Sequence, residues 1–163
     1  MFRYFLSIKA FIVLLAALAV AGCGSSGSGE VTVQATSISK AEFAKRAEAV
    51  CAAAHRSFLA DLEKFERTHK FPEEKSPYET VWLSELANQV VFPNLEPEVV
   101  EISEIGAPVS DVAAVSKFLN ALQQRLEEVR AVSRELNKTP TPFKRAANLA
   151  KASGLKGCRE NLV

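Results

Sequence analysis

Cys51 precedes His55 by one helical turn, and Glu66 precedes His69 by three residues, so each pair would share one face of a helix. The first spacing suits a Cys–His metal pair or an activated thiol. The second is half of a di-iron ligand set. Such a centre needs two Glu-x-x-His steps, and the residue three before His55 is Ala52, so the second step is missing. A haem held by methionine has no donor, because Met1 is the sole methionine, and no Cys-x-x-Cys-His run exists for covalent attachment. Gly-x-Ser-x-Gly is absent too, and the serines fall mostly at helix caps and in a linker. Acidic residues abound, yet no spacing singles out a carboxylate pair for acid–base work. The expectation is a chain with no catalytic residues, no metal and no cofactor, in which His55 is a partly exposed neighbour of a bridged cysteine. Tyr78 and Trp82 could line a groove for an apolar or sugar ligand, but aromatics at helical spacing more commonly form core or core edge.

A different chemistry is written at the N-terminus. Arg3 and Lys9 give a positive flank, and an uncharged apolar stretch runs from Phe11 to Ala21. Such a stretch is short of the ~20 residues that span a bilayer as a helix. A short apolar run with a basic flank and small residues at its end reads as a processed signal. Val20-Ala21-Gly22-Cys23 closes it, matching the lipobox pattern of aliphatic, small, small, cysteine. The whole leader resembles that of bacterial lipoproteins. The resemblance implies that residues 1–22 are removed and that Cys23 becomes the lipidated first residue, carrying a diacylglyceryl thioether and often an added N-acyl chain such as palmitate. Each buried lipid CH₂ is worth ~0.8 kcal/mol and one chain holds only marginally; two or three chains make residence long-lived. The bland alternatives are a secretory signal with a free cysteine, or an uncleaved N-terminal helix. Gly24-Ser25-Ser26-Gly27-Ser28-Gly29 follows, and residues 23–37 are expected to form a flexible tether averaging on the order of 20 Å end to end.

Residues 38–163 then form one domain, large enough for a real core. The chain carries 20 basic and 19 acidic residues; without Arg3 and Lys9 the balance is near −1, which gives no support for nucleic-acid binding. Beyond Cys23 only Cys51 and Cys158 remain, and two cysteines in an exported, oxidising setting read as one disulfide. Two buried free thiols or a metal pair are the alternatives.

Helix signals dominate the domain. Ser39 and Glu42 form a capping box, with Ile38 placed to staple onto Phe43. Phe43, Ala47, Val50, Cys51, Ala54, Phe58, Leu62 and Phe65 then recur at three- and four-residue steps, ending near Lys70 before Phe71-Pro72. Ser76, Pro77 and Glu79 open a second helix whose face (Trp82, Leu86, Val90) meets Pro93. The stripe resumes with Leu95, Val99, Ile102 and Ile105 up to Gly106, which suits a left-handed C-terminal position; one broken helix is expected. Ser110 and Asp111 open a third, with Val112, Val115, Phe118, Leu119, Leu122, Leu126, Val129, Val132 and Leu136 as its buried face. Thr141-Pro142 begins a short fourth, closed at Gly154-Leu155 in the manner of a Schellman cap. Strand-like alternation occurs only at Glu30–Gln34. The predicted fold is all-α: an antiparallel bundle of three long helices, the second proline-kinked, plus a short C-terminal helix. With a rise of 1.5 Å per residue, an up-down-up-down course brings Cys158 near the height of Cys51.

Ile38-Ser39-Lys40-Ala41-Glu42-Phe43 with Ala49-Val50-Cys51, and the tail Ala152-Ser153-Gly154-Leu155-Lys156-Gly157-Cys158, together resemble small uncharacterised actinobacterial lipoproteins. That likeness implies location and fold, and carries no activity. Charge is uneven along the chain. From Ser76 to Ser116 the acids Glu79, Glu85, Glu96, Glu98, Glu101, Glu104 and Asp111 meet no Lys or Arg, whereas Lys138, Lys144, Arg145, Lys151, Lys156 and Arg159 dominate the C-terminal stretch. Opposite solvated faces that favour one helix arrangement explain this simply. The sharper expectation is an interaction surface, with Glu96, Glu98, Glu101 and Glu104 on one side and Lys144, Arg145 and Lys151 on the other, that steers an envelope protein or polymer. The sequence thus predicts a membrane-anchored lipoprotein on the extracytoplasmic side of a bacterial cell, acting as a non-catalytic binding, interaction or structural module. A ligand-carrying or transport-associated lipoprotein using the space around Pro93 is the second reading, and an envelope enzyme the third.

Overall fold

The computed structural model describes residues 29–72, 78–138, 141–160 and 162. The leader, Val20, Ala21, Gly22, Cys23, and the Ser76–Pro77 helix start all lie outside the described residues. What is described is mostly helical, with one minimal sheet.

Helix α1 runs Lys40–Thr68, and Ser39 Oγ accepts the Glu42 amide at 3.2 Å, the expected N-cap. Phe43, Ala47, Cys51 and Phe65 are its buried residues. The second helical run is continuous but changes pitch: α2 (Glu79–Leu86), a π-helical segment (Ala87–Val91), then α3 (Phe92–Ile105). Pro93, in the first turn of α3, and Pro97, inside it, have no amide to donate. The extra residue of the π turn appears just before them, with the Phe92 amide reaching back to Ala87 O. Pro93 therefore sits beside a wide turn rather than at a break. Asn94 is buried in this run, its Nδ2 donating to Val90 O at 2.8 Å and to Asp61 Oδ2 of α1 at 2.9 Å.

At the end of α3, Gly106 takes φ 68° and ψ 167°, a positive φ that glycine adopts readily. A Cβ there would lie 2.4 Å from Thr36 Cγ2. That close approach lets β2 (Ala107–Pro108) pair in parallel with β1 (Ala35–Thr36). Val33 is buried in the core, and Asn120 holds Val31 from both sides, accepting its amide at 2.7 Å and donating to its carbonyl at 3.1 Å. The stretch from Val31 to Thr36 is thus docked on the domain, which corrects the expectation of a free tether through residue 37. Buried Val33 and the backbone pairs of Val31 and Ala35–Thr36 are the physical reason.

Helix α4 spans Val112–Ala131, shorter than the sequence suggests. Val132 is extended (φ −144°, ψ 95°), and a 3-10 turn follows at Ser133–Asn137. Val132 is half exposed rather than buried. Arg125 supplies the reason. Its guanidinium donates to Glu135 O at 2.6 Å and to Pro142 O at 2.9 Å, and this tertiary clamp bends the chain back where local propensity would continue the helix. Asp111 sits at the start of α4 without capping it, because its carboxylate faces Lys40 Nζ at 3.2 Å. Helix α5 (Lys144–Ala152) ends as expected: Leu155 N–H donates to Ala150 O, Gly154 N–H to Lys151 O, and Gly154 has φ 82°. One further turn, α6 (Lys156–Glu160), carries Cys158, with Glu48 of α1 accepting the Lys156 amide. Helix α1 packs on α3 and α6, α3 on α4, and α4 on α5. The shared core holds Phe43, Ile102, Phe118, Leu119, Leu122, Leu126 and Leu155.

Candidate functional site

Cys51 and Cys158 are bridged, with Cα atoms 4.9 Å apart, and both are fully buried between α1 and α6. The bridge answers the Cys51–His55 pairing: a bridged sulfur is neither a thiolate nor a nucleophile. Glu98 lies against it. Its Oε1 is 3.3 Å from Cys51 Sγ, and the residue is 1% exposed. The ligand atoms of Cys51, Cys158 and Glu98 all fall within 4.8 Å of one another, but a disulfide offers no thiolate to a metal ion, so the trio is not a metal site in this form.

Glu98 is placed there by helical register. Leu95 and Ile102 flank it at three and four residues, so it shares their inward stripe. This corrects the expectation that Glu98 belongs to an acidic surface. Burial, with a smaller contribution from nearby Glu101, pushes its carboxyl up to about 8. The group is therefore a neutral acid at pH 7. Since the bridged sulfur carries no hydrogen, it is the acid that donates toward sulfur, a weak acceptor. Glu98 Oε2 has no hydrogen-bond partner among the described residues.

The rest of the expected acidic surface also divides. Glu96 is ion-paired with Arg130. Glu101 and Glu104 remain exposed on α3, beside Arg46 of α1. The space near Pro93 is a cleft of about 210 Å³ bounded by Pro93, Pro97, Glu98 and Ser57, smaller than the ~300–1,000 Å³ of typical small-molecule sites.

His69 closes the end of α1. Its ring stacks on Phe65 at 4.2 Å, and its Nε2 faces Glu85 Oε2 of α2 at 3.3 Å. Trp82 packs edge-on against Phe65 and Phe71. Glu66 is exposed. The Glu66–His69 step is thus a joint between helices, with the histidine taken by a carboxylate and a ring.

A larger concavity lies elsewhere. Between α4 and α5 an open groove of about 1020 Å³ is lined by Ser116, Lys117, Asn120 and Gln124 of α4 and by Lys144, Arg145 and Asn148 of α5. Lys144 and Arg145 were expected at a surface and are exposed here; Lys151, also exposed, does not line the groove. Lys117, one helix away, completes the basic rim and is invisible to a count of charges along the chain. Among the described residues none of Lys117, Lys144 and Arg145 has an ion pair. A second concavity of about 520 Å³ adjoins it, sharing Lys144 and Arg145. There the charges are internally matched: Arg125 Nη1 lies 2.9 Å from Glu128 and 3.1 Å from Glu135, and Lys138 pairs with Glu135. Hydrogen bonds from Lys138 and then Arg125 hold the Glu135 carboxyl below the usual carboxylate range.

No helix among the described residues is long and apolar enough to cross a membrane. Comparison with protein families, curated proteins and solved structures finds no match to this chain.

Proposed function

We propose that the chain is a bacterial envelope lipoprotein, anchored through Cys23 on the extracytoplasmic side, whose helical domain is a non-catalytic binding module. The domain is an antiparallel bundle, a course supported by the serial packing of α1 on α3, α3 on α4 and α4 on α5. The observation that carries the binding role is the α4–α5 groove, where Lys117, Arg145 and Lys144, none of them in an ion pair among the described residues, stand beside Asn120, Gln124 and Asn148 over buried Ala121 and partly buried Leu149. A concave surface with excess positive charge recruits anionic partners and raises their rate of encounter. The buried disulfide favours an oxidising compartment, where such bonds persist. A carrier role at Pro93 is less well supported, because the cleft there is small for a ligand.

Intact-mass analysis of the chain recovered from membranes tests the anchorage. The expected species begins at Cys23 and bears diacylglycerol; an unmodified Cys23 overturns the reading. For the groove, reversing Lys144 and Arg145 is expected to abolish retention of anionic partners at low salt.

A further inference from the structure

The groove and the N-terminal segment meet at one residue. Asn120 lines the groove and also holds Val31 through both of its backbone groups. Glu30, the next residue toward the N-terminus, lines the same groove. The chain therefore reaches Cys23 directly from the basic rim. Only residues 24–30 lie between Cys23 and Val31, and an extended stretch of that length reaches at most about 25–30 Å. The fold has shortened the expected tether and made the groove the place where it leaves the domain.

That face has the charge of a membrane-docking surface. Lys117, Lys144 and Arg145 outnumber Glu30 in its lining, and among the described residues none of the three is in an ion pair; Glu128 and Glu135 of the adjoining concavity are taken by Arg125 and Lys138. Exposed Glu101 and Glu104 sit by α1 and α3 instead. We propose that the α4–α5 groove docks on anionic phospholipid headgroups of the membrane that holds Cys23, with Arg145 gripping phosphate oxygens through its planar fork and Lys117 and Lys144 acting as point charges. This rests on the anchored reading above. A basic side chain brought to an anionic surface favours the bound form about fivefold, and the attraction fades beyond a Debye length of about 8 Å at physiological salt. An anchor that already confines the domain within reach makes such weak contacts sufficient, since docking becomes intramolecular.

Amine footprinting tests this on the full lipidated chain. The protein is reconstituted into vesicles of phosphatidylcholine alone, or with phosphatidylglycerol added, then treated with an acetylating reagent and read by mass spectrometry. Lys117 and Lys144 are expected to react about tenfold more slowly on the anionic vesicles only, with Lys64 on α1 unchanged. The Arg145→Glu, Lys144→Glu variant still floats with vesicles, and its Lys117 loses the protection. Equal reactivity on both vesicles overturns docking while flotation preserves the anchor. Equal protection in detergent means that the chain's own 24–29 segment fills the groove. Protection by dissolved glycerophosphate without vesicles means a soluble anion is the occupant. Either result overturns the membrane assignment. Failure to float removes the anchorage reading and docking together.

Discussion

Two halves of the domain treat their ionisable groups in opposite ways. Around α1, α3 and α6, Glu98 is sealed against a disulfide and kept neutral by burial. Around α4 and α5, Lys117, Lys144 and Arg145 stand at an open groove with no ion pair among the described residues. A buried charge costs far more than an exposed one, so the first half expends conformational stability on a polar group while the second spends nothing to display three. The lesson is that the more chemically perturbed residue is not the better candidate for ligand binding here. Glu98 is perturbed because it is enclosed; the groove is available because its cations are solvated.

Substitutions can break this contrast. Cys158→Ala should have the largest effect. It removes a cross-link closing about a hundred residues, worth ~4–5 kcal/mol on the chain-entropy model, and is read as a lowered denaturation midpoint. Glu98→Gln tests whether the acid is neutral. The native carboxyl titrates near 8 and an unfolded one near 4.5. Below 4.5 both states hold the proton, and stability does not change with pH through this group. Between 4.5 and 8 only the native state holds it, so the wild-type protein loses about 1 kcal/mol per pH unit, and above 8 the loss levels off. Glu98→Gln should flatten that slope and be the more stable protein at pH 8. A wild-type curve flat from pH 5 to 8 would show that Glu98 is ionised in place.

The two positive-φ glycines among the described residues give a finer comparison. Gly106→Ala meets Thr36 Cγ2 at 2.4 Å as well as backbone strain, and should cost about 2 kcal/mol or more while freeing the Val31–Thr36 segment to rapid amide exchange. Gly154→Ala meets nothing within 4 Å, so only the backbone term remains, about 1 kcal/mol. The smallest effect belongs to the groove: reversing Lys117, Lys144 and Arg145 together should move the denaturation midpoint by no more than ~0.5 kcal/mol. A large loss there would mean that these side chains hold the fold instead of facing a partner.

What could be read in advance follows the range of the interactions. The Ser39 cap and the Gly154-Leu155 terminus are set by residues within a turn of one another, and both stand where their local signals place them. The Cys51–Cys158 bridge joins distant positions, but chemistry leaves few ways to pair two cysteines. Long-range contacts were hidden. Arg125 ends α4 by reaching the backbone of Glu135 and Pro142, and Asn120 captures Val31 across 89 positions. Glu98 was open to detection, since it falls between Leu95 and Ile102 on the inward stripe; counting it with its acidic neighbours along the chain concealed that register.

The wide turn at Ala87–Val91 has a consequence for phase. Leu83 and Ile102 both face the core, although an uninterrupted α-helix would rotate one about 100° from the other. The extra residue absorbs that rotation, acting like a spacer that brings two gears into mesh. Deleting one residue from this segment would restore regular pitch and keep α2 in phase, whereas deleting two would swing α2 about 100° out of alignment. The tryptophan and histidine joint at the far end of α1 would then lose its mate.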